Sequence, residues 1–308
     1  MTALPSLRQL SYLLALHEHG HFGRAAAACF VTQSTLSVGI AELERLLGAT
    51  LVERTKRSVR FTPVGEEVAA RARGLVRAAE DLTAVAQGQR EPLVGGLRLA
   101  AIPTVAPFLL PAMLPAVASA WPRLELTVRE MLTGQACDAL ARGSLDCVLL
   151  ALPVECGAVE TVTVLTDRLL LASAAGGADQ ALSLDELDAR RLLLLEDGHC
   201  LRDHALAACD LREEAEAPLV ASTLHTLVRL VDAGLGFTLL PEMAVGAGML
   251  DGTRVRARPV EGVAAERAVA LAWRAGHARG AEFRLLGETI RRAVALDGEG
   301  VGVRVQAA

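Results

Sequence analysis

The sequence predicts a small helix-rich head, a long linker helix and an α/β body, and three patterns predict it. Leu36, Ile40, Leu43 and Leu47 recur at i, i+4, i+7 and i+11, which draws one apolar stripe along a helix in the head. Val68, Ala72, Leu75, Ala79, Leu82 and Ala86 step by 4, 3, 4, 3 and 4, the a/d spacing of a helix that pairs with another. From Val94 onward, short apolar β-type runs alternate with helical segments, an order that implies an α/β body with mainly parallel sheets.

In the head, Leu7, Leu10, Leu13, Leu14 and Leu16 lie mostly on one face of a first helix, and HFGRAAAACF makes a short second one. A turn at Cys29–Val31 leads into the third helix, VTQSTLSVGIAELERLLG, with Thr32 as its N-cap but no capping-box Glu at Thr35. This is helix-turn-helix geometry, and Gln33, Ser34, Thr35 and Ser37 stand at the exposed start of the third helix, where short polar side chains reach base edges and phosphates. The stretch LVERTKRSVRFTP follows as two short β-like runs carrying Arg54, Lys56 and Arg57, a wing suited to phosphates. Taken singly these features are ordinary, since most three-helix units bind no DNA and most charged hairpins are only solvated faces. Pro63 then opens the linker helix, with Glu66 and Glu67 near the positive end of its dipole, and Glu91-Pro92 through Gly95-Gly96 forms a hinge.

Charge agrees with this division. The net charge of −5 argues against a nucleic-acid partner, but residues 1–65 carry seven Lys/Arg and four Asp/Glu, a balance of +3, leaving −8 on the remainder. A basic head on an acidic body fits a DNA-binding module joined to something else. The 308 residues suffice for more than one core, built from Leu, Val and Ala because aromatics are only 3%. Thirty Arg against one Lys reflects coding bias. The apolar runs fall short of the roughly 18 residues of a membrane span, and the N-terminal one is too short for a secretory signal, so the chain is expected in the cytoplasm. Six cysteines there read as thiols held reduced unless they sense or catalyse.

Within the body, Pro107–Trp121, Thr133–Ala141, SLDELDAR, HTLVRLVDAG and Phe283–Val294 read as helices. GLRLAAIP, LELTVREM, LDCVLLAL, LLLASA, LLLLED, PLVAS, GFTLLP, TRVRARPV and AVALAWR read as strands. The segment LEDGHCLRDHALAAC carries Cys200 and Cys209 nine residues apart, around a helix expected over Leu201–Ala208. Nine helical residues rise about 13.5 Å, whereas a disulfide needs Cα atoms within about 7 Å. These thiols could bridge only after the helix melts. His199, Arg202 and His204 bring potential positive charge to Cys200, and with the helix start they are expected to lower its pKa. The ordinary alternative is a pair of small core hydrophobes, and the spacing does not suit structural zinc. Cys29 and Cys147 read as packing residues; Cys137 sits on a helix of mixed polarity, and Glu155 beside Cys156 disfavours a thiolate there.

The head, in this order of elements, resembles the LysR-type winged helix-turn-helix, the linker resembles the helix that pairs LysR subunits, and the body resembles the two-lobed LysR effector domain, similar in fold to solute-binding proteins. EDGHCLRD with a second cysteine nine residues after the first resembles the sensing loop of the OxyR-like hydrogen peroxide sensors of that family. The resemblance implies a winged helix-turn-helix at 1–63, a linker and hinge at 64–93, a redox-sensing domain at 94–297 and a tail at 298–308. Lobe one would be 94–165 plus 267–297 and lobe two 166–266. It implies Cys200 as peroxidatic and Cys209 as resolving cysteine, a peroxide pocket of Thr104, Thr133, His199, Asp203 and Arg274, and no cofactor or metal. It implies a homodimer or dimer-of-dimers tetramer, promoter DNA and RNA polymerase as partners, activation of transcription, and a glutaredoxin or thioredoxin system as reductant. The sequence departs from the pattern at Ala41 and Glu42, which stand where basic residues are frequent, and at Pro218 and Val220, where His and Arg are frequent. The rival readings are a LysR-type regulator sensing a small organic anion between the lobes, a thiol peroxidase-like enzyme, and a pure solute-binding module. The DNA-binding head argues against the last two.

Overall fold

The computed structural model describes residues 4–54, 59–86, 91–174, 188–209, 219–260 and 265–301. The chain divides into two compact units, Met1–Arg90 with Ala141–Ser144, and Glu91–Leu140 with Leu145–Ala308.

In the first unit, helix α1 (Leu7–His19) starts on a Ser6/Gln9 capping box, in which Gln9 takes the place of the usual Glu. Helices α2 (Phe22–Ala28) and α3 (Gln33–Leu47) follow, and the Thr32 hydroxyl caps α3 by accepting from the Thr35 N–H. Leu10, Leu13 and Leu16 interlock with Ala25, Ala26, Leu36, Ile40 and Leu43. Leu47, the last residue of the expected stripe, is instead partly exposed at the helix end. Strands β1 (Val52–Arg54) and β2 (Val59–Phe61) pair antiparallel as the wing; its tip, including Lys56 and Arg57, lies outside the described residues.

Helix α4 (Pro63–Ala86) is capped by Thr62, whose Oγ1 accepts from the Gly65 N–H. Gly65 is required there because a Cβ would fall 2.0 Å from the Leu51 carbonyl oxygen. His17 ties α1 to α4 through Glu66 at 2.7 Å and Arg73 at 2.8 Å. The linker seam divides along its length: Ala72 is buried on the head core, whereas Leu75 and Leu82 are 58% and 73% exposed.

The second unit runs β3 (Gly95–Ala101), α5 (Ala106–Ala120), β4 (Leu124–Glu130), α6 (Thr133–Ala141), β5 (Cys147–Leu152), β6 (Val159–Ala174), β7 (Leu194–Leu195), α7 (Cys200–Ala208), β8 (Val220–Ala221), α8 (Leu224–Asp232), β9 (Phe237–Pro241), α9 (Glu242–Gly246), β10 (Val255–Arg258), β11 (Glu266–Arg274) and α10 (Gly280–Val301). The main sheet has the order β10-β6-β11-β5-β3-β4, with β9 also on β6. The expectation of mainly parallel sheets is corrected. β3 is parallel to β4 and β5, and β7 to β8, but β6 and β11 meet all their partners antiparallel. The reason is the long strand β6: its first part pairs with β11, and its last residues pair with β9 and β10. One strand thus serves two hydrophobic cores, one around Leu99, Val148, Leu271 and Phe283, the other around Leu171, Leu194, Leu227 and Leu239.

Of the expected SLDELDAR helix, the described end is a 3-10 turn at Ala189–Arg191. No single helix among the described residues is long and apolar enough to cross a membrane.

Candidate functional site: a buried thiol beside an arginine

The site is assembled from strand ends and helix starts, where backbone groups and short polar side chains are left to face one another. The chain leaves β3 through Ile102 and turns into α5, which puts Thr104 in the turn with only 2% of its surface exposed. Thr133 opens α6, and its N–H donates to the Gly198 carbonyl at 3.3 Å, joining that helix start to the loop before α7. Gly198 takes φ 93°, a left-handed conformation that suits the turn into α7. Cys200 is the first residue of α7 and is buried, with a 6% exposure.

At the start of β11, Arg267 lies opposite Asp167 of β6. Its guanidinium donates from Nε to Asp167 Oδ2 at 3.0 Å, from Nη1 to Thr104 Oγ1 at 2.9 Å and from Nη2 to the Thr104 carbonyl at 2.9 Å. Both side chains of the ion pair are 0% exposed. Asp167 also accepts from the Met243 N–H at 3.0 Å. Burial pushes the Asp167 carboxyl up from its ordinary pKa, and Arg267 opposes that shift.

The Cys200 thiol is pushed up by burial, first of all. Arg267, the Thr133 hydroxyl and the Ala151 backbone act in the opposite direction and favour the thiolate, while Asp203 disfavours it. The expectation of a thiol activated by His199, Arg202 and His204 is therefore corrected. His199 is itself pushed down by burial and His204 down to about 4, so both imidazoles are neutral near pH 7. Arg202 is turned to Asp197 at 3.0 Å and to the Leu195 carbonyl. The positive charge at the thiol comes from Arg267. Among the described residues, Thr133 Oγ1 and His199 Nδ1 are buried without a partner in hydrogen-bond geometry, although the Thr133 hydroxyl acts on the thiol and the Ser222 backbone acts on the His199 ring. Unpaired buried polar atoms carry a desolvation penalty that a small polar ligand would remove.

Of the expected pocket, Thr133 is joined to the loop before Cys200 through Gly198, and Thr104 is held by Arg267; His199 is buried beside Cys200 in sequence, with Glu196, the Ser222 backbone and Glu130 acting on its ring. Asp203 is exposed on α7. Arg274 is not in the site: it ends β11 opposite Val159, seven residues from Arg267, or roughly 23 Å along an extended strand. Arg267 takes its place. The signal that could have found it is a charge inside an apolar strand, Arg267 in ERAVALAWR matched by Asp167 in TVLTDRLLLA; buried charges occur in pairs. Val220 is exposed, and Pro218 lies outside the described residues.

Cys209 caps the far end of α7 and is a free, half-buried thiol, as Cys200 is a free thiol at the near end. The two belong to different cores, Cys200 to the first and Cys209 to the edge of the second. Burial raises the Cys209 pKa as well. Cys147 is fully buried with its pKa well above the usual thiol range, and Cys29 packs against the head core, as expected for both. Cys137 and Cys156 differ from expectation, because they form a disulfide with Cα atoms 5.0 Å apart.

On the head, Gln33, Ser34 and Thr35 are exposed at the start of α3 and Ser37 is half-buried. The Thr32 cap oxygen lies 2.9 Å from the Ser34 hydroxyl and 2.8 Å from that of Thr35, so these polar groups form a pre-ordered edge. Arg54 closes β1 at the root of the wing.

Comparison with known proteins agrees with both parts of the chain. Residues 7–66 match the bacterial regulatory helix-turn-helix protein, lysR family, and residues 90–295 match the LysR substrate binding domain. The chain belongs to the LysR family of DNA-binding transcriptional regulators. It is 49% identical over 253 residues to the HTH-type transcriptional regulator EstR of Acinetobacter baylyi, covering 81% of this chain and 84% of that one. It is 41% identical over 244 residues to the DNA-binding transcriptional dual regulator OxyR of Escherichia coli, covering 78% and 80%. Among solved structures, a full-length OxyR cysteine variant from Pseudomonas aeruginosa superposes with a TM-score of 0.78 at 34% identity, covering 94% of this chain and 98% of that one. A Corynebacterium glutamicum OxyR cysteine mutant with H2O2 bound gives a TM-score of 0.63 at 33% identity, covering 99% and 100%.

Proposed function

We propose that this regulator senses hydrogen peroxide through Cys200 and Cys209 and converts their oxidation into a change of DNA contacts. The observation that carries the reading is a buried thiol under the charge of a fully buried arginine and the influence of the buried Thr133 hydroxyl, with a second free thiol at the other end of the same helix. Thr133 Oγ1 and His199 Nδ1 suit the hydrogen-bonding of a peroxide, and Arg267 favours both the thiolate and the departing hydroxide. The Cys200 thiolate attacks one peroxide oxygen, the O–O bond breaks, and the hydroxide leaves as water after taking a proton. The sulfenic acid then meets Cys209, whose thiol gives up its proton as the sulfur attacks; the S–O bond breaks, the departing hydroxide takes that proton and leaves as a second water, and the disulfide forms.

The second step needs rearrangement. The nine-residue helix between the thiols spans about 13.5 Å, and a helix this short is marginal once its packing is lost. Closing the disulfide therefore unwinds α7 and pulls Cys200 out of the first core, which is the change available for transmission to the rest of the molecule. The oxidised state is returned by an external thiol reductant of the glutaredoxin or thioredoxin type. Promoter DNA is held by the polar start of α3 and the wing. The exposed seam residues Leu75 and Leu82 pair subunits into a dimer or a dimer of dimers that works with RNA polymerase in the cytoplasm.

The test is sulfenic acid trapping with a dimedone-type probe in Cys209→Ser protein. One probe per chain on Cys200 at near-stoichiometric peroxide is expected; no trapping, or trapping spread over other cysteines, would remove Cys200 as the sensor.

A further inference from the structure

The Cys137–Cys156 bridge lies close behind the Cys200 site. Cys137 is on α6, four residues and so one turn beyond Thr133, whose N–H donates at 3.3 Å to the carbonyl of Gly198, two residues before Cys200. Cys156 follows the end of β5, four residues beyond Leu152 and five beyond Ala151, and Ala151, Cys137 and Cys200 are buried in one core with Cys156 packed against it. The disulfide closes a separation of 19 residues. It thereby ties together the two elements that present Thr133 and Ala151 to Cys200. Cys137 is almost buried in the first core, whereas Cys156 is half-exposed between the exposed residues Glu155 and Gly157. An external thiolate can therefore approach Cys156 and not Cys137.

We propose that Cys137 and Cys156 form a second thiol–disulfide couple, exchanging with an external dithiol, and that its closed state positions Thr133 and Ala151 so as to keep Cys200 reactive. In the reducing direction, a thiolate of the dithiol attacks Cys156 Sγ, the Cys137–Cys156 bond breaks, and Cys137 leaves as thiolate and takes up a proton. The second thiol of the reagent attacks the mixed disulfide and releases Cys156; the couple gains two electrons and two protons, and the dithiol becomes a disulfide. The reverse exchange, with a small cyclic disulfide as oxidant, closes the bridge. Opening it frees α6 from the β5 exit, and Cys200 loses part of the environment that favours its thiolate. The proposal uses the reading of Cys200 as the reactive thiol, but its test does not depend on peroxide chemistry.

Two measurements on the full-length chain test it. First, Cys200→Ser/Cys209→Ser protein is equilibrated with mixtures of oxidised and reduced dithiothreitol, acid-quenched, unfolded and labelled with a maleimide. Cys137 and Cys156 should gain labels together as one two-electron couple while Cys29 and Cys147 remain labelled throughout. Full labelling of all four in the most oxidising mixture, or separate titration of Cys137 and Cys156, would overturn the couple.

Second, the pH dependence of Cys200 alkylation by iodoacetamide is followed on its own peptide in Cys209→Ser protein with the bridge closed, in the same protein reduced by dithiol and freed of it, and in the added Cys137→Ser/Cys156→Ser background. Both open forms should shift the Cys200 midpoint upward by half a unit or more, about three-fold less thiolate at a fixed pH below it. Coincident profiles would overturn the coupling. The reduced form controls for any folding defect of the substituted one.

Discussion

Replacing Arg267 separates two roles of one residue. The guanidinium sits 2.9 Å from Asp167 with neither side chain exposed, and it also holds the hydroxyl and carbonyl of Thr104. Arg267→Met removes the cation but leaves Asp167 buried and charged, a change that destabilises by about 3–5 kcal/mol. With a urea dependence at the upper end of the usual range, about 3 kcal/mol per molar as suits a body of this size, its unfolding midpoint should fall by about 1–2 M. The only two tryptophans, Trp121 and Trp273, are both in the body, so their fluorescence follows that unit without signal from the head. Adding Asp167→Asn removes the stranded charge while keeping an acceptor for the Met243 N–H, and it should recover most of the lost midpoint. Cys200 should not recover. Arg267 favours the thiolate, so both the single and the double variant should react with peroxide more slowly at pH 7, about ten-fold for each unit by which the thiol pKa rises. An unchanged midpoint in Arg267→Met would show that the ion pair is not the buried pair described. Restored peroxide reactivity in the double variant would show that Arg267 acts on Cys200 only through stability.

Three further outcomes follow from the same structure. Binding of the head to DNA should weaken with salt, and Arg54→Ala or Arg57→Ala should each flatten the log–log slope by about 0.9 while weakening all sequences alike; an unchanged slope would remove the wing from the phosphate contacts. Leu75, 58% exposed on α4, should pair with a second copy, so Leu75→Glu should shift sedimentation toward monomer; an unchanged oligomer would move the interface elsewhere. His204 has a folded pKa of about 4 against an ordinary 6.5, depressed mainly by burial. The stability it contributes is complete above about 6.5 and is lost as pH falls through about 4, so the body should lose urea resistance over that window, and His204→Phe should lessen that loss; an identical pH profile in the variant would contradict the assignment.

The elements that were legible in the sequence are those with a local signal. The stripe of Leu36, Ile40 and Leu43, the Thr32 cap and the run from Cys200 to Cys209 each announce themselves within a few turns of helix. Thr104, Thr133 and His199 were legible only through resemblance, since nothing local distinguishes a threonine after a strand. The strand directions were not legible, because the apolar run of β6 says that it is buried but not that it crosses between two cores with antiparallel neighbours. Arg267 was missed for Arg274 for a related reason: both are arginines on one strand, and only the register with Asp167 tells which end faces Cys200. The electrostatics of the thiol were misread because nearby His199 and His204 were counted as charges, whereas burial keeps them neutral. Cys137 and Cys156 carry no spacing signal; they meet only because α6 packs beside the exit of β5.

The most direct test of the peroxide reading is the identity of the oxidised bond. Full-length protein with the Cys137–Cys156 bridge closed and its other thiols reduced, treated with a small excess of hydrogen peroxide and digested without reductant, should yield a new cross-linked peptide joining Cys200 to Cys209, with two free thiols lost per chain and with hydrogen exchange across Cys200–Ala208 rising at the same rate. A dominant bridge from Cys200 to Cys137, Cys147 or Cys156, or a Cys200–Cys209 bond formed with the helix still protected, would contradict it.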